Sequence, residues 1–100
     1  ITLTMKSLKI IGKRYLLAEA KRTSEALVGH NGMCRSNQQT IHYADDLQLD
    51  EKSDTVLHEV IHAVDHQMDT DLTETQVRRI ATGLCAVFKD NPKFYVEYLE

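Results

Sequence analysis

The spacing of apolar residues changes character near the middle of the chain. In the first half, short apolar runs alternate with glycines and polar groups, which is typical of strands. Leu8 to Ile11, a break at Gly12, and Tyr15 to Leu17 predict either one bent strand or two. Residues 19–28 fit a helix or a loop equally well.

A second strand region follows the turn signal from Gly29 to Gly32. The segments Met33 to Arg35 and Thr40 to Ala44 flank a polar group, Ser36 to Gln39. Two apolar segments around a short polar turn are typical of a hairpin. We therefore expect two antiparallel strands here.

The second half has the period of helices. Apolar residues that recur at about 100° per residue predict a first helix, capped by Ser53 or Asp54. They are Leu57, Val60, Ile61, Val64 and Met68. A second helix is expected to start near Asp71 and Thr73 and to end at Asn91-Pro92. Its apolar positions are Val77, Ile80, Ala81, Leu84, Val87 and Phe88.

Strands followed by helices predict an α+β fold, with a small antiparallel sheet packed on these two helices. The length of 100 residues fits one domain, residues 1–100. The tail from Lys93 to Glu100 is expected to form a short helix or to pack across the domain.

Composition excludes several classes of protein. Hydrophobic residues make up 42% and charged residues 27%, as in a folded globular chain. The net charge of −3 argues against nucleic-acid and anionic-membrane partners, which need a basic face. No run approaches the roughly 20 apolar residues of a membrane helix, so we expect a soluble, cytoplasmic protein. Cys34 and Cys85 lie far apart and are expected to be reduced core residues. No oligomeric state is predicted.

One motif on the first predicted helix indicates chemistry. In His58-Glu59-Val60-Ile61-His62 the two imidazoles stand one turn apart on the same face, a spacing that lets both bind one tetrahedral zinc ion. Glu59 borders this face at about 100° from His58, where a carboxylate reaches a zinc-bound water as general base. A shuffled chain of this composition would contain the motif only about 2% of the time.

A third ligand is expected from beyond this helix, because two histidines alone make a weak site. Glu74 is the preferred candidate, since it falls on the inward side of the second helix. The same residue also fits a capping box from Asp71 to Glu74, and both roles are compatible. His66, Asp69 and Asp71 are the alternatives, with His66 expected at the rim of the cleft.

The segments Val56 to Asp65 and Leu72 to Val77 resemble the small zinc metallopeptidase-like proteins of phages and prophages. These proteins are gluzincin-like relatives of the ImmA/IrrE-type metallopeptidases and similar to minigluzincins. The likeness spans roughly Gly32 to Pro92, including the strand Gln39 to Ala44. It implies a zincin-like fold, peptide-bond hydrolysis, and zinc held by the two motif histidines and Glu74, with the strand before the helix beside the cleft.

Two hypotheses follow. The first is a metallopeptidase that cleaves a peptide or protein substrate, which pairs with the strand around Ile41 and Tyr43. His42, Tyr43, Tyr95 and Tyr98 are its candidates for a residue that stabilises the oxyanion, and His42 and Tyr43 are also possible cleft residues. The second is a catalytically silent or latent zinc-binding domain that acts by binding a partner. In that case, Lys93 to Glu100 would fold over the cleft.

Overall fold

A computed structural model describes residues 6–100. The predicted domain also included residues 1–5, which lie outside this range. Four strands precede two long helices, so the α+β class is confirmed. The elements are β1 (Lys6–Ile10), β2 (Lys13–Ala20), β3 (Gly32–Arg35), β4 (Thr40–Ala44), α1 (Leu49–Met68), α2 (Glu74–Asp90) and a final short π-helix (Tyr95–Leu99). No helix within the described range combines the length and apolar character needed to cross a membrane.

The sheet is mixed, and the prediction of an antiparallel sheet was wrong at one pairing. Its strand order is β1-β2-β4-β3. The pairs β1–β2 and β3–β4 are antiparallel, as expected for hairpins, but β2 and β4 run parallel. The parallel pair arises because the chain crosses from β2 through β3 before it returns beside β2 as β4. Consequently β4 lies inside the sheet, and β3 forms an edge.

The first apolar region is two strands rather than one bent strand. Ile10 pairs with Lys13, so only Ile11 and Gly12 form the turn. Both residues have positive φ, at 49° and 80°, as a two-residue hairpin turn of type I′ requires. Within the ambiguous segment 19–28, β2 ends at Ala20 and consecutive turns follow. Leu27 in these turns is fully buried.

Three faces of helix α1 have different neighbours: the sheet, helix α2 and the cleft described below. Ala63, Val60 and Val64 pack on the sheet, in a core cluster with Ile10, Tyr15 and Ile41. Leu57 and Ile61 pack on α2, in a second cluster with Leu72, Val77 and Ala81. At 100° per residue these two faces leave one further arc, and His58, Glu59 and His62 of the HExxH motif lie along it. The fold therefore places the motif beside the core and open on one side.

The start of α1 differs from the prediction. The helix begins at Leu49, and neither Ser53 nor Asp54 caps it. The cap is Gln48, whose backbone N–H donates to the Glu51 carboxylate at 3.1 Å. Thr73 is the N-cap of α2 as expected, and the Thr73 hydroxyl accepts from the Gln76 backbone N–H at 3.1 Å. Asn91 ends this helix, also as expected.

Helix α2 covers the core less completely than its apolar pattern predicts. Val77 and Ala81 are fully buried, but four further apolar side chains of the predicted core face are 39–43% exposed. These are Ile80, Leu84, Val87 and Phe88. The π-helix after α2 is also exposed. Cys34 and Cys85 are both free, as predicted, but only half-buried.

Candidate metal centre

Three potential ligand atoms converge where α1 and α2 meet. The Nε2 atom of His58 lies 2.5 Å from Oε1 of Glu74, and the Nε2 atom of His62 lies 3.2 Å from Oε2. The two imidazole rings stand one turn apart on α1, with their centroids separated by 4.9 Å. All three ligand atoms lie within 4.8 Å of one another. The histidines of the motif thus share one small volume with the preferred third ligand.

Glu74 reaches this position as the first residue of α2, directly after the Thr73 cap. The predicted capping box was misplaced, because the residue that completes the box with Thr73 is Gln76. The Glu74 carboxylate is directed at the histidines of α1, at the junction of the two helices as expected, but the side chain is 66% exposed rather than buried. Partial burial acts to raise the pKa of Glu74, but the imidazoles of His62 and His58 outweigh this effect and lower it.

Glu59 lies beside this group in a different environment. It is 8% exposed, which makes it the one buried charged residue among residues 6–100. Burial raises the pKa of its carboxyl, and the nearby His58 and His62 oppose this shift less strongly. A β-carbon added to Gly32 on β3 would lie 3.1 Å from Oε2 of Glu59. The carboxylate is therefore enclosed between α1 and the edge strand.

The donor set fits a zinc ion. Two imidazoles and one carboxylate are the protein ligands of a well-known class of catalytic zinc site, in which water or substrate takes the remaining position. A carboxylate on a different helix from the histidines also matches the requirement for a ligand from outside the HExxH segment. The ligand roles of His58, His62 and Glu74 remain predictions, and their juxtaposition supports them.

The group opens into a cleft of about 930 Å³, a volume within the range of small-molecule and peptide sites. One wall is β3 with the residues just before it, from His30 to Cys34, and the other comprises α1 and the first turns of α2. His66 lines this cleft and is exposed, which agrees with a rim position. Asp69 and Asp71, the other alternative ligands, do not line it.

Several predicted cleft residues lie elsewhere. Tyr43 is buried, and its ring lies under the Lys52 ammonium at 5.2 Å from the ring centroid. His42 alternates with the core residues of β4, so its side chain is on the sheet face away from α1, where burial lowers its pKa. Neither lines the cleft, and neither do Tyr95 and Tyr98. These residues are therefore not placed to stabilise an oxyanion.

Two further expectations also fail. The strand around Ile41 and Tyr43 cannot pair with a substrate, because β4 is bonded to β2 on one side and β3 on the other. The tail from Lys93 to Glu100 does not cover the cleft, since the cleft has no lining residue beyond Arg78. Among the strands of residues 6–100, the edge strand beside the candidate metal centre is β3 instead.

Sequence reasoning missed several residues that line this cleft, among them Gly32 and Asp65. Gly32 allows β3 to approach Glu59 closely, and Asp65 lines the cleft one turn after Ile61. For Gly32 the only signal was a glycine at the start of a strand segment, which turn chemistry explains equally well. For Asp65 the signal was its position on the motif face of the helix, at about 340° from His58.

No protein-family model, curated protein or solved structure matches the chain.

Proposed function

We propose that this protein is a zinc-dependent metallopeptidase of the gluzincin type. The observation that supports this most directly is the convergence of His58, His62 and Glu74 from two helices, with Glu59 buried beside them. A structural site would need a fourth protein ligand, whereas the group contains three among residues 6–100 and opens into a cleft. The relationship to phage-type and ImmA/IrrE-type proteins and the cytoplasmic location remain predictions from the sequence.

In this proposal His58, His62 and Glu74 hold the zinc ion. When bound, the ion supplies Lewis acidity, which polarises the scissile carbonyl and makes an attacking water more acidic. Glu59 accepts the proton from that water and later gives it to the leaving nitrogen, so the carboxylate acts as base and then as acid. Its enclosure between α1 and β3 holds the carboxylate in one orientation, which general-base catalysis requires.

The substrate is proposed to be a peptide bound in extended conformation. The edge strand β3 lines the cleft, and its outer edge has no partner strand among residues 6–100. A peptide that pairs with this edge would gain main-chain hydrogen bonds and run past Glu59. The strand is only four residues long, from Gly32 to Arg35, so it would fix a short stretch of the peptide.

The proposal is tested by three variants and two readouts, zinc content and cleavage of an unfolded protein such as casein. We expect about one equivalent of zinc in the wild type. Glu59→Gln should retain this zinc and lose cleavage, because an amide does not accept the proton. Glu74→Gln should weaken zinc binding by more than tenfold, since a neutral amide is a poorer donor than a carboxylate. His58→Ala should abolish tight binding.

Each alternative has its own signature. A wild-type protein without tight zinc would refute the metal site itself. Tight zinc together with no cleavage of any unfolded protein would favour the latent, partner-binding domain. Normal zinc affinity in Glu74→Gln would move the third ligand to another residue while leaving the histidine pair intact.

A further inference from the structure

The link between α1 and α2, residues 69–73, is hydrogen-bonded mainly to one residue of α1. The backbone N–H groups of Asp69 and Thr70 donate to the carbonyl oxygen of Asp65. The Thr70 hydroxyl and the Leu72 backbone N–H donate to Oδ1 of the same residue, at 2.5 and 3.0 Å. Asp65 therefore receives hydrogen bonds from most of the link.

The backbone of this link has an unusual conformation that needs such support. Asp69 and Asp71 both have left-handed φ values, 55° and 57°. This region disfavours residues other than glycine, although aspartate tolerates it better than most. Two such residues flanking Thr70 persist only where surrounding contacts determine the conformation. The hydrogen bonds to Asp65 are contacts of that kind.

The link has a direct consequence for the candidate ligands. Asp65 follows His62 by three residues on α1, and Glu74 follows the link as the first residue of α2. Leu72 packs on the cluster between the helices, which also anchors the end of the link. The position of Glu74 relative to His62 therefore depends on how the link leaves Asp65.

We propose that Asp65 is a positioning residue for the metal centre, whose carboxylate fixes the link so that Glu74 lies against His58 and His62. Asp65 acts through Glu74, since its Oδ1 atom accepts hydrogen bonds from Thr70 and Leu72, and Asp65 does not belong to the group of converging ligand atoms, which comes from His58, His62 and Glu74. The metal-related part of this inference rests on the proposed function. The placement of Glu74 does not, because it is a property of the chain alone.

The test compares two threonine variants, each of which removes a hydroxyl that donates a hydrogen bond to an aspartate on α1. Thr70→Val removes the donor to Asp65, and Thr82→Val removes the donor to Asp54 at 3.1 Å, which also joins the two helices. Neither threonine lines the cleft. Asp65→Ala is the stronger variant, and Thr70→Val is the nearly isosteric one that should fold if Asp65→Ala does not.

Two readouts are needed. In metal-free protein, nuclear Overhauser contacts between the His58 ring and the Glu74 γ-protons should be present in the wild type and in Thr82→Val. They should weaken in Thr70→Val and disappear in Asp65→Ala. Zinc affinity, from competition with a chromophoric chelator, should fall roughly 10–100-fold in Asp65→Ala and about tenfold in Thr70→Val. In Thr82→Val it should stay within about twofold.

The outcomes separate this inference from the proposed function. Wild-type contacts and zinc affinity in both Asp65→Ala and Thr70→Val would overturn the positioning role while leaving the zinc site intact. Contacts that are absent already in the metal-free wild type would overturn it as well. A wild type that shows the contacts but does not bind zinc would refute the proposed function, and the contact changes among the variants would still support the role of Asp65.

Discussion

At Gly32 the edge strand comes close enough to α1 that no side chain fits between them. An added β-carbon would lie 2.7 Å from Cγ2 of Thr55 and 3.0 Å from Cγ of Glu59. The first distance is far below a normal carbon–carbon contact, so either β3 or the two side chains would have to move. Because one of those side chains is the candidate base, a methyl group here tests how strictly its orientation matters.

We predict that Gly32→Ala lowers stability by about 1–3 kcal/mol, as overpacking does, and reduces peptide cleavage by roughly tenfold or more. Zinc affinity should change little, since no ligand is displaced directly. Gly83→Ala is the matched control, because its added β-carbon meets nothing within 4 Å. On a helix that change should stabilise by up to about 1 kcal/mol and leave cleavage unaltered. Urea unfolding and a cleavage assay measure both effects, and equal behaviour of the two variants would contradict the close approach.

The residues that interact within one helix were accessible from the sequence, and those that interact across elements were not. The spacing of His58 and His62 places both imidazoles on one face whatever the rest of the chain does. The burial of Glu59 depends on β3, which approaches α1 from 27 residues earlier in the chain. Nothing in the local pattern around Gly32 specifies that contact.

At the scale of elements, the start of α1 shows why helix boundaries are hard to predict. The apolar arc begins at Leu57, so the nearest good cap residues were Ser53 and Asp54. The helix begins about one and a half turns earlier, at Leu49, where the Glu51 carboxylate accepts from the backbone N–H of Gln48. Glutamine is not among the favoured cap residues, and the first turns contain no buried apolar side chain to reveal them.

This start of α1 predicts unequal effects for two alanine substitutions. Glu51→Ala should cost roughly 0.5–1 kcal/mol, because it leaves the Gln48 N–H without its acceptor. Ser53→Ala should be neutral or slightly stabilising, since the Ser53 hydroxyl only bonds back to the Leu49 carbonyl at 3.2 Å. Urea unfolding of metal-free protein measures both, and Glu51→Gln is the control that retains an acceptor. If Ser53→Ala lowered the stability more than Glu51→Ala does, the result would indicate that Ser53 caps the helix and that α1 begins after it.

At the scale of the whole molecule, the class of fold followed from the order of strands and helices, but the sheet topology did not. In β4, Ile41 and Tyr43 alternate with polar residues, whereas β2 contains a continuous apolar run from Tyr15 to Ala18. Both patterns indicate strands, but neither shows whether the two strands run parallel or antiparallel. The partial exposure of Leu84 and Phe88 on α2 could not be predicted from the sequence either. Periodicity shows which side chains share a face of a helix, but it does not show what covers that face.

The packing between the helices suggests how metal would affect the molecule as a whole. Helix α2 is held to α1 by a small cluster in which Val77 and Ala81 are its only buried residues. Hydrogen bonds such as Thr82 to Asp54 and an exposed ion pair from Lys89 to Asp50 add little, since such surface contacts contribute about 1 kcal/mol or less. A zinc ion shared by His58, His62 and Glu74 would be the strongest connection between the two helices.

We therefore predict that chelation of zinc destabilises the entire fold. A ligand that binds only the folded state stabilises it by about 2.7 kcal/mol when its free concentration is a hundred times Kd. For a chain of 100 residues this corresponds to a melting temperature higher by roughly 10 °C or more. Differential scanning calorimetry with and without a chelator measures the difference, and Glu74→Gln should show much less of it, because without that carboxylate the ion no longer joins α2 to α1. A wild-type melting temperature that chelation leaves unchanged would mean that the two helices are held together without metal.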